Sequence, residues 1–102
     1  TYLDSNNTVA IGGVVSATNS VAVGKQALVS NTSGGWNTAF GMYSLLSNTT
    51  GVNNSATGFG TLFTNTTGIG NTANGYASLY ANTTASYNVA VGSSAAFTSA
   101  PN

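Results

Sequence analysis

A glycine returns every seventeen residues along most of this chain, as Gly24, Gly41, Gly58, Gly75 and Gly92. A fixed period settles the kind of fold first, because each unit is one supersecondary element that can bury itself only against its neighbours. From Ser20 onward the units share the frame N-T-A-x-G-x-x-S-L-x-x-N-T-T-G-x-x. The third place is always alanine: Ala22, Ala39, Ala56, Ala73 and Ala90. The ninth is leucine in four units, Leu28, Leu45, Leu62 and Leu79, with Ala96 in the last. The tenth is apolar or aromatic: Val29, Leu46, Phe63, Tyr80 and Phe97. At the twelfth, Asn31, Asn48, Asn65 and Asn82 open an N-T-T or N-T-S turn. Upstream, "TVAIG" ends at Gly12, twelve residues before Gly24, so the first unit is a shorter one.

Seventeen residues are too few for helix-pair repeats or propeller blades, which need about 33 or more. They suit one coil of a solenoid, since strands of roughly five residues rising about 3.3 Å per residue, with two turns, use up the unit. The expected fold is therefore all-β: a parallel β-solenoid or β-roll of about six coils, forming a single domain over 1–102. It divides into a short first coil at 8–19, seventeen-residue coils starting at 20, 37, 54 and 71, and an incomplete last coil at 88–102. One strand falls on "NTAFG" and its equivalents. The second is expected near "SLLSN", with a short helical turn as the alternative. Asn-Thr-Thr-Gly supplies turn hydrogen bonds and a residue tolerant of positive φ. A lone coil cannot fold, because ordering its backbone costs more than one leucine and one aromatic return. Stacked about 4.8 Å apart, coils gain backbone ladders and, where identical Asn side chains align, amide ladders.

The chain has only two charged residues among 102, Asp4 and Lys25, against about a quarter in an ordinary soluble domain. It has no His, Glu, Arg or Cys. That inventory excludes an acid–base pair, an activated nucleophile and the ligand clusters of zinc or calcium sites, so neither enzyme chemistry nor a cofactor is expected. It also lacks the basic patch that nucleic acid requires and any apolar run long enough to insert in a bilayer. A surface so poor in charge is suited to contact with further protein. The ninth and tenth places point the same way. Adjacent residues of an extended strand face opposite sides, so one of these two apolar ladders needs a partner outside the coil, unless a helical turn folds both inward.

The segments "TVAIG" at 8–12, "NSVAVG" at 19–24 and "NVAVG" at 88–92 resemble the N-S-V-A-I-G signature of the YadA-like heads of trimeric autotransporter adhesins. The N-T-A-x-G-x-x-S-L-x-x-N-T-T-G units are similar to longer repeats of bacterial surface adhesins and phage tail fibres. The resemblance covers roughly Thr8 to Thr98. It implies a left-handed parallel β-roll, three chains packed around an axis, a place on a cell or virion surface, and a role in attachment. It further implies that Val9 with Ile11, Val21 with Val23, and Val89 with Val91 face the core of the roll, with the alanine between them facing the other way. In the middle units these places hold Thr38 with Phe40, Ser55 with Thr57 and Thr72 with Asn74, too polar for a dry core. There the Ala and Leu ladders are expected to turn inward instead.

Neither end of the sequence shows a segment that would block an open strand edge. The chain therefore reads as an excerpt of a longer fibre, or as a unit that stacks head to tail into a filament, beside the trimer. The tripeptide N-x-S/T at Asn6, Asn31, Asn48, Asn53, Asn65 and Asn82 reads as turn chemistry, or as acceptors for glycan. The function expected is a structural and attachment protein, a repeat segment of an extracellular adhesin, fibre or self-assembling filament. Its partner is itself, with a host glycan or matrix protein as a further one, and Trp36, Tyr76 and Tyr87 are the candidates for sugar stacking. The alternative is an ice-binding solenoid using Thr32, Thr49, Thr66 and Thr83 with Ser33, Thr50, Thr67 and Thr84, although adjacent files on a strand would face apart.

Overall fold

The computed structural model describes residues 2–3, 9–11 and 19–97, the first two segments through their strand pairing. Among these described residues seven strands form one sheet in chain order: β1 (Tyr2–Leu3), β2 (Val9–Ile11), β3 (Val21–Val23), β4 (Thr38–Phe40), β5 (Ser55–Thr57), β6 (Thr72–Asn74) and β7 (Val89–Val91). From β2 to β7 every pairing is parallel and in register, with Ala10, Ala22, Ala39, Ala56, Ala73 and Ala90 forming one continuous file. The fold is an all-β solenoid whose coils advance one sheet position per repeat. Coils beginning at 20, 37, 54 and 71 are complete within the described residues. Of the short coil at 8–19, β2 and Asn19 are described; Thr8 and Gly12 lie outside the described residues, as do Asp4, Asn6 and Pro101.

The expectation that the first edge of the sheet is uncovered needs correction. β1 pairs antiparallel with β2, Tyr2 opposite Ala10 and Leu3 opposite Val9. The outer edge of β2 is therefore occupied by chain running the opposite way, which a parallel coil of another copy cannot match in register.

The side-chain directions drawn from the family resemblance are also reversed. The alanines face inward, fully buried from Ala22 to Ala73, while Val89 and Val91 on either side of Ala90 stand 74% and 71% exposed. The same in–out pattern holds in β4, β5 and β6, as expected for the middle units. The side chains of Val9 and Ile11 lie outside the described residues. The reason is width. The alanine file meets the leucine file, Leu28, Leu45, Leu62 and Leu79, directly in one cluster. A coil this narrow has room for a methyl group opposite leucine, so bulk at the second and fourth places is turned out.

No second strand forms near "SLLSN", and no helical turn either. Instead the chain runs through overlapping four-residue turns. Ala27 N donates to Gly24 O at 3.2 Å, Val29 N to Gln26 O at 3.2 Å, and Asn31 N to Leu28 O at 3.1 Å. Gln26 and Leu28, third residues of the first two turns, have φ of 60° and 56°, as a type II turn requires. The pattern recurs at Tyr43 and Leu45 and at Ala77 and Leu79. Left-handed residues break the strict alternation of a strand, so Ser44 beside Leu45 and Thr61 beside Leu62 are both buried. The tenth-place ladder is left on the outside, with Val29 and Phe97 exposed and Leu46, Phe63 and Tyr80 half-buried.

Holding a residue with a Cβ in the left-handed region costs about 1–2 kcal/mol. Stacking over-determines that conformation, since Leu28, Leu45, Leu62 and Leu79 each donate a backbone N–H to the next coil. Gln26 is exposed and gives the core nothing. Relief of its strain in Gln26→Gly outweighs the roughly 0.5–1 kcal/mol entropic cost of glycine. The variant is expected to gain about 0.5–1 kcal/mol, read as a rise of roughly 2–8 °C in Tm. A fall in Tm would show that the side chain itself holds the turn.

The interior is as much amide as hydrocarbon. Asn48 Nδ2 donates to Asn31 Oδ1 at 2.9 Å, Asn65 Nδ2 to Asn48 Oδ1 at 3.0 Å, and Asn82 Nδ2 to Asn65 Oδ1 at 2.8 Å. A second file, Asn37, Asn54, Asn71 and Asn88, runs through the first place of the repeat: Asn54 and Asn71 each accept on Oδ1 the backbone N–H of the next Asn, at 2.9 and 3.0 Å. All eight are buried, and every amide in both files has a hydrogen-bond partner. Burial without partners would cost each amide several kcal/mol, so the two files stabilise only because the repeat keeps them aligned. The Thr-Thr-Gly turn adds a third register device. Thr49, Thr50 and Gly51 aim three successive N–H groups at Thr66 O, at 3.0, 3.3 and 3.2 Å.

Candidate functional surface

With core and amide files turned inward, function falls to what the coils present outside. The described residues include no cluster of His, Cys, Asp or Glu able to hold a metal ion, and no pocket opens on them. No helix among them is long and apolar enough to cross a membrane. What they do carry is a set of parallel outward files, each repeating once per coil.

The first surface is the outer side of the sheet. It presents the second and fourth places: Val21 and Val23, Thr38 and Phe40, Ser55 and Thr57, Thr72 and Asn74, Val89 and Val91. It has no charge, and its two ends are valine. Phe40 adds an aromatic side chain that is 54% exposed.

The second surface lies beyond the glycine corner. Phe59 stacks on Tyr76 at 5.4 Å between ring centroids, and Phe63, Tyr80 and Phe97 stack in sequence at 4.9 and 4.8 Å, with planes within 19° of parallel. Tyr43 meets Phe59 and Phe63 edge to face. These rings stack on one another from coil to coil, which adds stability to the array but spends the ring faces. Tyr76, a candidate for sugar stacking, has one of its faces covered in this way.

The third surface is the seventeenth place, where the chain turns back into the strand: Asn19, Trp36, Asn53, Gly70 and Tyr87. Trp36 and Tyr87 are 60% and 77% exposed. Neither takes part in an aromatic pair among the described residues.

The threonine files singled out for ice are differently engaged. Thr32, Thr49 and Thr66 donate their Oγ hydrogens to carbonyl oxygens one coil along, at 3.1, 3.3 and 3.3 Å. Asn31, Asn48, Asn65 and Asn82 have their Nδ2 atoms buried and bonded, which leaves no room for a glycan on the folded coil. Burial thus supports turn chemistry at these four, while Asn53 is exposed. The Gly24, Gly41, Gly58, Gly75 and Gly92 file forms the corner after each strand, all at positive φ.

Sequence reasoning missed two features: the first-place Asn file and the outward valines. The first had a signal in Asn37, Asn54, Asn71 and Asn88, one polar residue returning every seventeen positions in every unit but that of Ser20. The second had none, because V-A-V alternation is the same whichever side is the core. No protein-family model, curated protein or solved structure matches the chain.

Proposed function

We propose that this chain is a structural and attachment segment, a repeat stretch of an extracellular adhesin, phage-type fibre or surface filament of the YadA-like kind. In this reading it works as a homotrimer packed side by side. The observation that carries the reading is the outer side of the sheet: a regular, charge-free face on which Val21, Val23, Phe40, Val89 and Val91 point away from a core that is already complete. Apolar side chains turned outward at both ends of an uncharged face, with Phe40 between them, mark an interaction surface. A second copy presents the same spacing of about 4.8 Å per coil, so contacts match along the whole length. The antiparallel β1 on the edge of β2 favours side-by-side packing over head-to-tail growth at that end. The mechanism is mechanical: stacked coils make a stiff spacer that holds its side surfaces at a fixed pitch.

Light scattering coupled to gel filtration tests this. The expected mass is three times 10.1 kDa. Val91→Asp places a carboxylate in the interface while leaving the core untouched, and should weaken association by roughly 2 kcal/mol or more per contact. A monomer at high concentration, or a Val91→Asp chain that assembles like the parent, sinks the side-by-side reading. Fibres seen by electron microscopy would favour the filament instead.

A further inference from the structure

The seventeenth place is left-handed in every coil described. Its φ is 49° at Asn19, 53° at Trp36, 58° at Asn53, 69° at Gly70 and 63° at Tyr87. Asn and Gly are the residues that tolerate this conformation, and they fill three of the five positions. A bulky aromatic residue does not, and it is strained there. In a stable core such strain would be offset by burial. Trp36 and Tyr87 receive no such return, because more than half of each side chain faces solvent. The stacked rings of the sixth and tenth places stabilise neighbouring coils; these two rings stack on no other among the described residues. Folding alone therefore gives no reason for aromatic residues here.

We propose that Trp36 and Tyr87 are the two ends of a saccharide-binding track along one flank of the solenoid. They stand three coils apart, roughly 14 Å at the spacing of paired strands. The ring of Tyr87 lies over Gly70, where an added Cβ would come within 2.7 Å of Cδ1, so the glycine seats one side of the ring and leaves the other to solvent. Between the two aromatic residues Asn53 is exposed, and its side-chain amide makes no hydrogen bond among the described residues. The one open face of Tyr87, the exposed indole of Trp36 and the free amide between them fit a neutral oligosaccharide of a few units. The C–H faces of its pyranose rings stack on aromatic rings, and its hydroxyls bond to amides. A charged ligand is not suited, since the described surface offers Lys25 as its single charge. This track deepens the attachment half of the reading above and does not depend on the number of chains.

Trp36 is the chain's one tryptophan, so its fluorescence reports directly on the track. Cellohexaose and chitohexaose are suitable probes, titrated against the full chain, with calorimetry for the variants. Saturable binding with a blue shift of Trp36 emission is expected. Tyr87→Gly and Trp36→Asn should each weaken binding about tenfold. Both variants should keep or raise Tm, because each places a left-handed-tolerant residue at a left-handed position. The proposal is overturned if neither sugar shifts Trp36 emission at millimolar concentration, or if both variants bind like the parent. It is equally overturned if both variants lower Tm by several degrees, which would make the rings structural. Light scattering on the same samples separates the outcomes: loss of sugar binding with assembly intact removes the track alone.

Discussion

Gly41→Ala should destroy the cooperative solenoid, while Gly60→Ala should cost only about 0.5–1 kcal/mol. The two glycines lie nineteen residues apart, and both have positive φ, but their surroundings differ. A Cβ on Gly41 would sit 2.5 Å from Gly58 O and 2.7 Å from Gly58 C. Those atoms are backbone, and Gly58 cannot retreat because its own N–H donates to Phe40 O at 2.8 Å. The φ of +143° at Gly41 is also outside every region open to a residue with a side chain. At Gly60, with φ of +66°, an added Cβ meets nothing nearer than the Tyr80 ring at 3.9 Å. Ala77 already occupies the equivalent place one coil on, with φ of 54°. The expected loss at Gly41 is at least about 4 kcal/mol, against a total stability of roughly 5–15 kcal/mol for a chain of this size. In a nearest-neighbour array one broken junction also uncouples the coils on either side. Thermal unfolding followed by circular dichroism should show Tm falling by at least about 15 °C for Gly41→Ala, and by less than about 8 °C for Gly60→Ala. Two variants with the same Tm would mean that coils are not pinned by the glycine corner.

The contrast between these glycines shows what a repeat makes legible. Stacking converts sequence period into spatial register, so the Gly41 corner, the Ala39 strand and the Leu45 ladder could all be placed from spacing alone. The route between them could not. Leu45 at a φ of 50° has no local preference for that conformation; it is held there by the N–H it donates to Thr61 O at 2.9 Å in the next coil. Single-residue propensity knows nothing of that bond, so an extended or helical segment was the natural expectation. The same applies to β7. Val89-Ala90-Val91 reads as an apolar pair around a small residue, and only the narrow gap opposite the leucine file decides that Ala90 goes in. For the candidate surfaces, aromatic residues were visible in the sequence, but which rings pair with one another and which stand apart depended on where the turns place each one.

The amide files permit a sharper test, because their failure has an unusual pH signature. Asn65 Nδ2 donates to Asn48 Oδ1 and to Gly68 O, at 3.0 and 3.2 Å, while its Oδ1 accepts from Asn82 Nδ2 at 2.8 Å. In Asn65→Asp the donor becomes a carboxyl group. When protonated it can still give one hydrogen bond, so at acid pH the loss is that of roughly one buried bond, about 1–3 kcal/mol. When ionised it faces two oxygen acceptors from a fully buried position with no cation beside it. Burial and those acceptors both disfavour the charged form, so the folded-state pKa of the new carboxyl rises above its unfolded value of about 3.9. A raised carboxyl pKa means that the unfolded state releases the proton first. Stability is therefore at its fullest below about pH 4 and falls as pH rises, by about 1.4 kcal/mol per unit until the folded pKa is reached. From pH 4 to 7 the variant is expected to lose about 3–4 kcal/mol more than the parent does, on top of the loss already present at acid pH. Asn53→Asp is the control, since Asn53 is exposed and aspartate also tolerates its left-handed backbone. Chemical denaturation at several pH values should show the decline in the first variant and not in the second. Parallel curves for the two would mean that the Asn65 file is open to water, and that the coils are held by hydrocarbon and backbone ladders alone.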